Sequence, residues 1–129
     1  MQSLFVVGRV LYGGFFLLAG LDHFRRVSMM TPYAASKGIP APRLAVLVSG
    51  LVIVLGGLSF ILGVRPAWGA LLLSVFLLLV NVLVHNFWAV EDPQARQMDL
   101  VQFKKNSALL GAGWMFLMIP TPWAVSVGW

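Results

Sequence analysis

Four apolar runs, near 3–24, 44–64, 67–90 and 103–119, constrain this chain more than any other feature. A bilayer core of ~30 Å takes roughly 20 helical residues to cross. The runs therefore predict four transmembrane helices. Composition agrees: 60% of the 129 residues are hydrophobic and 10% charged, with a mean hydropathy of +0.90, too apolar for a soluble domain of this size. The expected fold is all-α, an integral membrane four-helix bundle forming one domain over residues 1–129. The N-terminal run has no basic stretch before it and no small-residue cleavage pattern, so it is expected to be retained as a helix rather than removed as a signal peptide.

Charge sets the expected orientation. Seven of the nine Lys and Arg residues, Arg25, Arg26, Lys37, Arg43, Arg96, Lys104 and Lys105, fall in or beside the first and third loops. Only Arg65, and Arg9 if its stem snorkels to the nearer interface, belong to the other face. The long loops are thus expected in the cytoplasm of a bacterium and both termini outside its inner membrane. The net charge of +5 is better explained by orientation and anionic headgroups than by nucleic acid, for which no motif speaks. Without cysteine the chain cannot carry thiol–disulfide chemistry or a thiolate-bound metal.

Arg9, Gly13, Phe16, Gly20 and His23 share a narrow arc of the first helix, with Asp22 on the other side; small residues on such an arc permit close helix contact. In the first loop, Thr31 as N-cap, Pro32 at the first helical position and Gly38 as a stop predict a short interfacial helix near 32–37 carrying Tyr33. The second run holds glycines and no ionisable group, and reads as a packing helix. Arg65-Pro66 is a tight turn that makes the second and third spans antiparallel neighbours. Ser107 with Gly111, and Ala108 with Ala112, give the fourth span small-residue pairs for close packing. The PTPW stretch, 120–123, ends it, with Trp123 and Trp129 as interface anchors.

The stretch NVLVHNFW, 81–88, gathers the polar side chains of the third run. On a continuous helix Asn81, His85 and Trp88 share one face, and polar groups in hydrocarbon turn towards an interior, a cavity or an interface. Helix direction brings His23, Asn81, His85, Asn86, Trp88, Lys104, Lys105 and Asn106 near one membrane level. Arg9 stands apart, about 20 Å along its helix from His23 at ~1.5 Å per residue. Two readings follow. The ligand-binding candidates Asn81, His85, Trp88, Lys105, Asn106 and His23 could hold a quinone or an anionic headgroup, with histidine relaying a proton. Alternatively they are interfacial anchors, with Asn81 and Asn106 bridging helices and Arg9 structural. A metal would need Asp22, Glu91 or Asp92 to complete a shell around histidines on different helices, so none is expected. No nucleophile–base pair or phosphate loop is visible.

The order of GRVLYGGFFLLAGLDHF, YAASKGIPAPRLA, GGLSFILGVRPAWGALLL, HNFW and FKKNSALLGAG resembles the DoxX family of small four-span membrane proteins, over roughly residues 8–118. The resemblance implies a membrane four-helix bundle. It also implies a link to thiosulfate:quinone oxidoreduction, to redox-defence complexes or, in related eukaryotic proteins, to cargo handling or receptor assembly. The family's recurrent polar positions fall on Arg9, His85, Trp88, Lys105 and Asn106. Many members carry a glutamate in the second span shortly before its glycine pair; here Val52, Ile53 and Val54 occupy that region. The ends of spans one and three, DHF and HNF, hint at a parallel repeat.

Three functions are therefore weighed. One is a non-catalytic subunit or assembly factor of a membrane complex that binds lipid or a protein partner, with a homo-oligomer also open. The second is a quinone-binding subunit of an oxidoreductase, dependent on a partner that carries flavin or metal. The third, passage of a proton or small solute, is disfavoured because four spans leave little lumen.

Overall fold

The computed structural model describes residues 1–128. Five α-helices run in order: α1 Gln2–Arg25, α2 Val27–Ser36, α3 Pro42–Leu62, α4 Pro66–Leu83 and α5 Pro93–Phe116. A single 3-10 turn, Phe87–Ala89, separates the last two. No strand occurs among the described residues. Three helices are long and apolar enough to cross a membrane: α1, α3, and α4 extended through the 3-10 turn. Their outward side chains, among them Leu4, Leu11, Leu18, Leu71 and Leu78, are exposed and meet the lipid. α5 matches α1 in length at 24 residues, but Arg96, Asp99 and Lys104 occupy its first half and Lys105 follows at once.

The glycine arc of α1 does pack as its spacing predicts. A Cβ on Gly13 would lie 2.9 Å from the Ile61 side chain, and one on Gly57 would lie 2.6 Å from the Gly13 carbonyl oxygen. One on Gly20 would lie 2.9 Å from the Gly50 carbonyl oxygen. Backbone thus rests on backbone at two levels of the antiparallel α1–α3 contact, Gly13 with Gly57 and Gly20 with Gly50. The α3–α4 hairpin closes through Gly63 at φ 70° and Arg65 at φ 47°, ahead of Pro66 at the first turn of α4. The interior is filled by Phe16, Ile53, Phe60, Leu73 and Leu77. Tyr12 reaches across from α1 and donates to the Leu109 carbonyl of α5 at 2.7 Å. On α5 the close approach falls at Gly113, where a Cβ would lie 2.6 Å from the Tyr12 hydroxyl. Gly111 has open space around it, so the expected Ser107–Gly111 pair is not a contact.

Several boundaries differ from the sequence reading for identifiable reasons. α2 begins at Val27, one residue after α1 ends, because the Arg26 carbonyl accepts from both Met29 and Met30. Pro32 therefore sits inside α2, and Thr31 is no N-cap: its hydroxyl donates back to the Val27 carbonyl at 2.7 Å. Gly38 does stop the helix. At φ 77° it lets its own N–H reach Ala35 and that of Ile39 reach Ala34, the two bonds of a Schellman motif. The third loop is shorter than expected, since α5 starts at Pro93 with the Asp92 carboxylate accepting from the Ala95 N–H at 2.8 Å.

The segment after α5 folds back over the end of the structure where α1 begins. Trp123 is therefore not an interface anchor. It is 3% exposed and packs edge-on against Phe5 and Phe60. Arg9 does not snorkel either; it is 2% exposed beneath the same segment. Trp129 lies outside the described residues.

Candidate functional site

The polar side chains singled out in the sequence divide into separate groups because α4 ends at Leu83, earlier than the expected 90. The N–H groups of Val84 and His85 both reach the Val80 carbonyl, and Phe87 then bonds the His85 carbonyl around Asn86 at φ −79°, ψ 68°. That is an inverse γ-turn. It takes His85 and Trp88 off the helix, so the expected common face with Asn81 does not exist.

His85 instead turns towards α5. Its Nδ1 donates to Asp99 Oδ1 at 3.1 Å; a carboxylate can only accept, which fixes the proton on Nδ1. The other oxygen of Asp99 accepts from Lys37 Nζ at 2.8 Å, and the Tyr33 hydroxyl adds a long bond of 3.4 Å. Lys37 and Tyr33 come from the end of α2. One buried carboxylate, 6% exposed, thus ties together three pieces of chain. Burial alone would raise the Asp99 carboxyl; Lys37 and His85 outweigh it and hold the group below its ordinary value. Burial, and then the Asp99 charge, push the Tyr33 hydroxyl up.

Asn81 faces α5 within the helical part of α4. Its amide oxygen accepts from Asn106 Nδ2 at 3.1 Å, and its own Nδ2 donates to Ser107 Oγ at 3.3 Å and the Phe103 carbonyl at 3.4 Å. Both amides are buried, so each satisfies the other in a region that offers no water. The helix-bridging reading of this pair holds geometrically.

The remaining candidates lie elsewhere. Trp88 is exposed and stacks edge-on with Phe87 and Phe103, with ring centroids 5.3 and 5.9 Å away. Lys105 donates to Gln102 and lies over the Phe15 ring at 5.4 Å, with no hydrogen bond to the Asp99 group among the described residues. His23 joins α1 to α3: its Nδ1 is 3.0 Å from both the Val46 carbonyl and the Ser49 hydroxyl. No three His, Cys, Asp or Glu side chains are grouped closely enough to share a metal ion among the described residues.

Asp99 is the residue that sequence reasoning missed. The signal was Asp92-Pro93, an N-cap followed by proline, of the kind read at Thr31-Pro32. A helix started there carries Asp99, Phe103 and Asn106 along one face at i, i+4 and i+7. Ile53, in the position range where a second-span glutamate was sought, is fully buried in the apolar interior, and the buried carboxylate stands on α5 instead.

The family model DoxX matches residues 4–86, more than half of the chain. The match takes in Lys37 and His85 and stops before Asp99, Lys105 and Asn106, short of the extent to 118 expected from the sequence. No curated protein and no solved structure matches the chain.

Proposed function

The chain belongs to the DoxX family, and on that premise we propose that it is a non-catalytic subunit or assembly factor of a bacterial inner-membrane complex, binding lipid or a protein partner. In this reading residues 1–129 form one transmembrane domain and α5 is its fourth span. Its apolar helical part from 107 to 116 covers about 15 Å of the ~30 Å core at ~1.5 Å per residue, and the turns to 119 and the stems of Lys104 and Lys105 make up the rest. α2 and the first turns of α5 then form a polar cap on the cytoplasmic face, with both termini outside. The partner is a second copy of the chain or a different protein.

One observation carries the proposal. The buried polar groups at the cap are already partnered with one another, Asp99 with Lys37 and His85, and Asn81 with Asn106. Both oxygens of Asp99 are taken by groups from other elements, so a ligand for this carboxylate would have to break a contact that joins α2 or His85 to α5. A quinone-binding subunit of an oxidoreductase is the second reading, favoured by the His85–Asp99 pair beside the rings of Phe87, Trp88 and Phe103. It would need a partner to supply the electrons. Passage of a proton or solute has least support, because Phe16, Ile53 and Phe60 fill the interior.

Native mass spectrometry of the gently solubilised protein, with extraction of bound small molecules, separates these readings. The subunit reading expects phospholipid or a protein partner in both wild type and His85→Ala. A stoichiometric quinone that disappears in His85→Ala would overturn it in favour of the redox subunit.

A further inference from the structure

Arg9 stands at the opposite end of the molecule from Asp99, and its surroundings are unusual for a charged group. It is 2% exposed, and its Nε and Nη1 find no hydrogen-bond partner among the described residues. The chain has four acidic residues. Asp22 lies about 20 Å up the same helix at ~1.5 Å per residue, while Asp99 sits in the α2–α5 group and Glu91 and Asp92 immediately precede α5 at that end. Among the described residues none offers Arg9 a counter-charge. The rings of Phe5 and Trp123 flank the guanidinium carbon at 5.7 and 5.9 Å, and Gly63 leaves the space its Nη1 occupies. These contacts position the cation and leave its charge unneutralised.

Among the described residues its one hydrogen bond goes from Nη2 to the Val125 carbonyl. Val125 has φ 55°, a left-handed conformation that a β-branched residue adopts only under strain. Such strain gathers at ligand clamps and switch segments. The segment bearing Val125 is otherwise tied by few bonds, notably Val127 N–H to the Leu62 carbonyl at 2.9 Å. Trp123 is also a wall of a cavity of about 280 Å³ bounded by Pro66, Ala67, Phe116 and Pro120. That is smaller than the roughly 300–1,000 Å³ of pockets for drug-sized ligands.

We propose that Arg9 is the anion-binding group of a second site, which takes a small oxyanion or the phosphate of a lipid headgroup in place of the strained Val125 carbonyl. Residues 117–128 act as a strap over it. An anion that displaces the carbonyl meets the planar fork of guanidinium N–H donors, whose geometry matches phosphate and carboxylate oxygens. It also supplies the missing negative charge and lets Val125 relax. The site is independent of the cap described above.

The test uses the full chain in nanodiscs of phosphatidylcholine, titrated with inorganic phosphate at constant ionic strength, with tryptophan fluorescence as the readout. The expected result is a saturable change that is absent in Trp123→Phe. The apparent affinity should fall at least tenfold in Arg9→Lys, which keeps the charge and loses the fork, and binding should vanish in Arg9→Gln. Val125→Gly relieves the strain of the strapped state without touching the cation, so it should weaken binding roughly fivefold or more. In discs containing phosphatidylglycerol, a lipid source predicts that the fluorescence has already changed and that phosphate adds nothing. A free-anion source predicts an unchanged titration. No saturable response in either disc, or responses indifferent to Arg9→Lys and Val125→Gly, would overturn the proposal.

Discussion

Replacing Asp99 with asparagine removes one charge from the middle of the cap with little change in shape. Asparagine keeps one acceptor oxygen for Lys37 and presents an N–H in place of the other, which His85 can meet only by moving its ring proton to Nε2; either way the charge that holds Lys37 is gone. The Lys37–Asp99 bond at 2.8 Å is charge-assisted, and hydrogen bonds to charged groups contribute about 1.5–3 kcal/mol. Breaking a fully buried pair costs about 3–5 kcal/mol, chiefly because the surviving charge is stranded. Lys37 keeps 17% of its side chain exposed and can swing its ammonium to water, which avoids most of that penalty. Asp99→Asn should therefore destabilise the protein by about 2 kcal/mol. In a double-mutant cycle with Lys37→Met, the coupling should be about 1–2 kcal/mol. The assay is unfolding in mixed micelles by rising dodecyl sulfate fraction, followed by far-ultraviolet circular dichroism. A coupling below about 0.5 kcal/mol, the range of independent sites, would refute the view that this carboxylate fastens α2 to α5.

Other consequences are as specific. Because the folded Asp99 carboxyl sits below its ordinary value, its contribution is complete above the unfolded carboxylate pKa of about 3.9 and is lost as pH falls through the folded value; acid titration of stability should show this loss in wild type and not in Asp99→Asn. Gly57→Ala places a Cβ 2.6 Å from the Gly13 carbonyl oxygen and 2.8 Å from the Leu17 nitrogen, both backbone, so it should cost about 1–3 kcal/mol in the same unfolding assay. Gly111→Ala, with open space around it, should be neutral or slightly stabilising. Asn81→Leu leaves the buried Asn106 amide unpartnered and should cost about 1–3 kcal/mol, with much of the loss recovered in Asn81→Leu/Asn106→Leu.

The glycine arc of α1, the Arg65-Pro66 hairpin and the stop at Gly38 were legible because each rests on local sterics: a missing Cβ, a ring that fixes φ, a left-handed residue. Helix direction brings Asn81 and Asn106 to one membrane level among several polar residues, and does not by itself pair them. His85 was misplaced because a 3.6-residue period says nothing about where a helix stops, and the inverse γ-turn at Asn86 has no strong residue signature. Asp99 was missed because its segment is polar enough to read as a loop, although Asp92-Pro93 marks a helix start. Trp123 was read as an anchor because an interfacial aromatic and a buried one look alike in sequence; only the return of the chain after α5 distinguishes them. The same return hid the environment of Arg9.

Membrane topology offers the most direct test that the Asp99 cap closes one face of a four-span bundle. The chain has no cysteine, so single cysteines at the exposed positions Ser3, Ser36, Gln94 and Val127 report without background. In spheroplasts treated with a membrane-impermeant maleimide, Ser3→Cys and Val127→Cys should be labelled at once. Ser36→Cys and Gln94→Cys should react only after permeabilisation. Labelling of Gln94→Cys and Val127→Cys from the same side would mean that α5 does not cross, and would contradict the account.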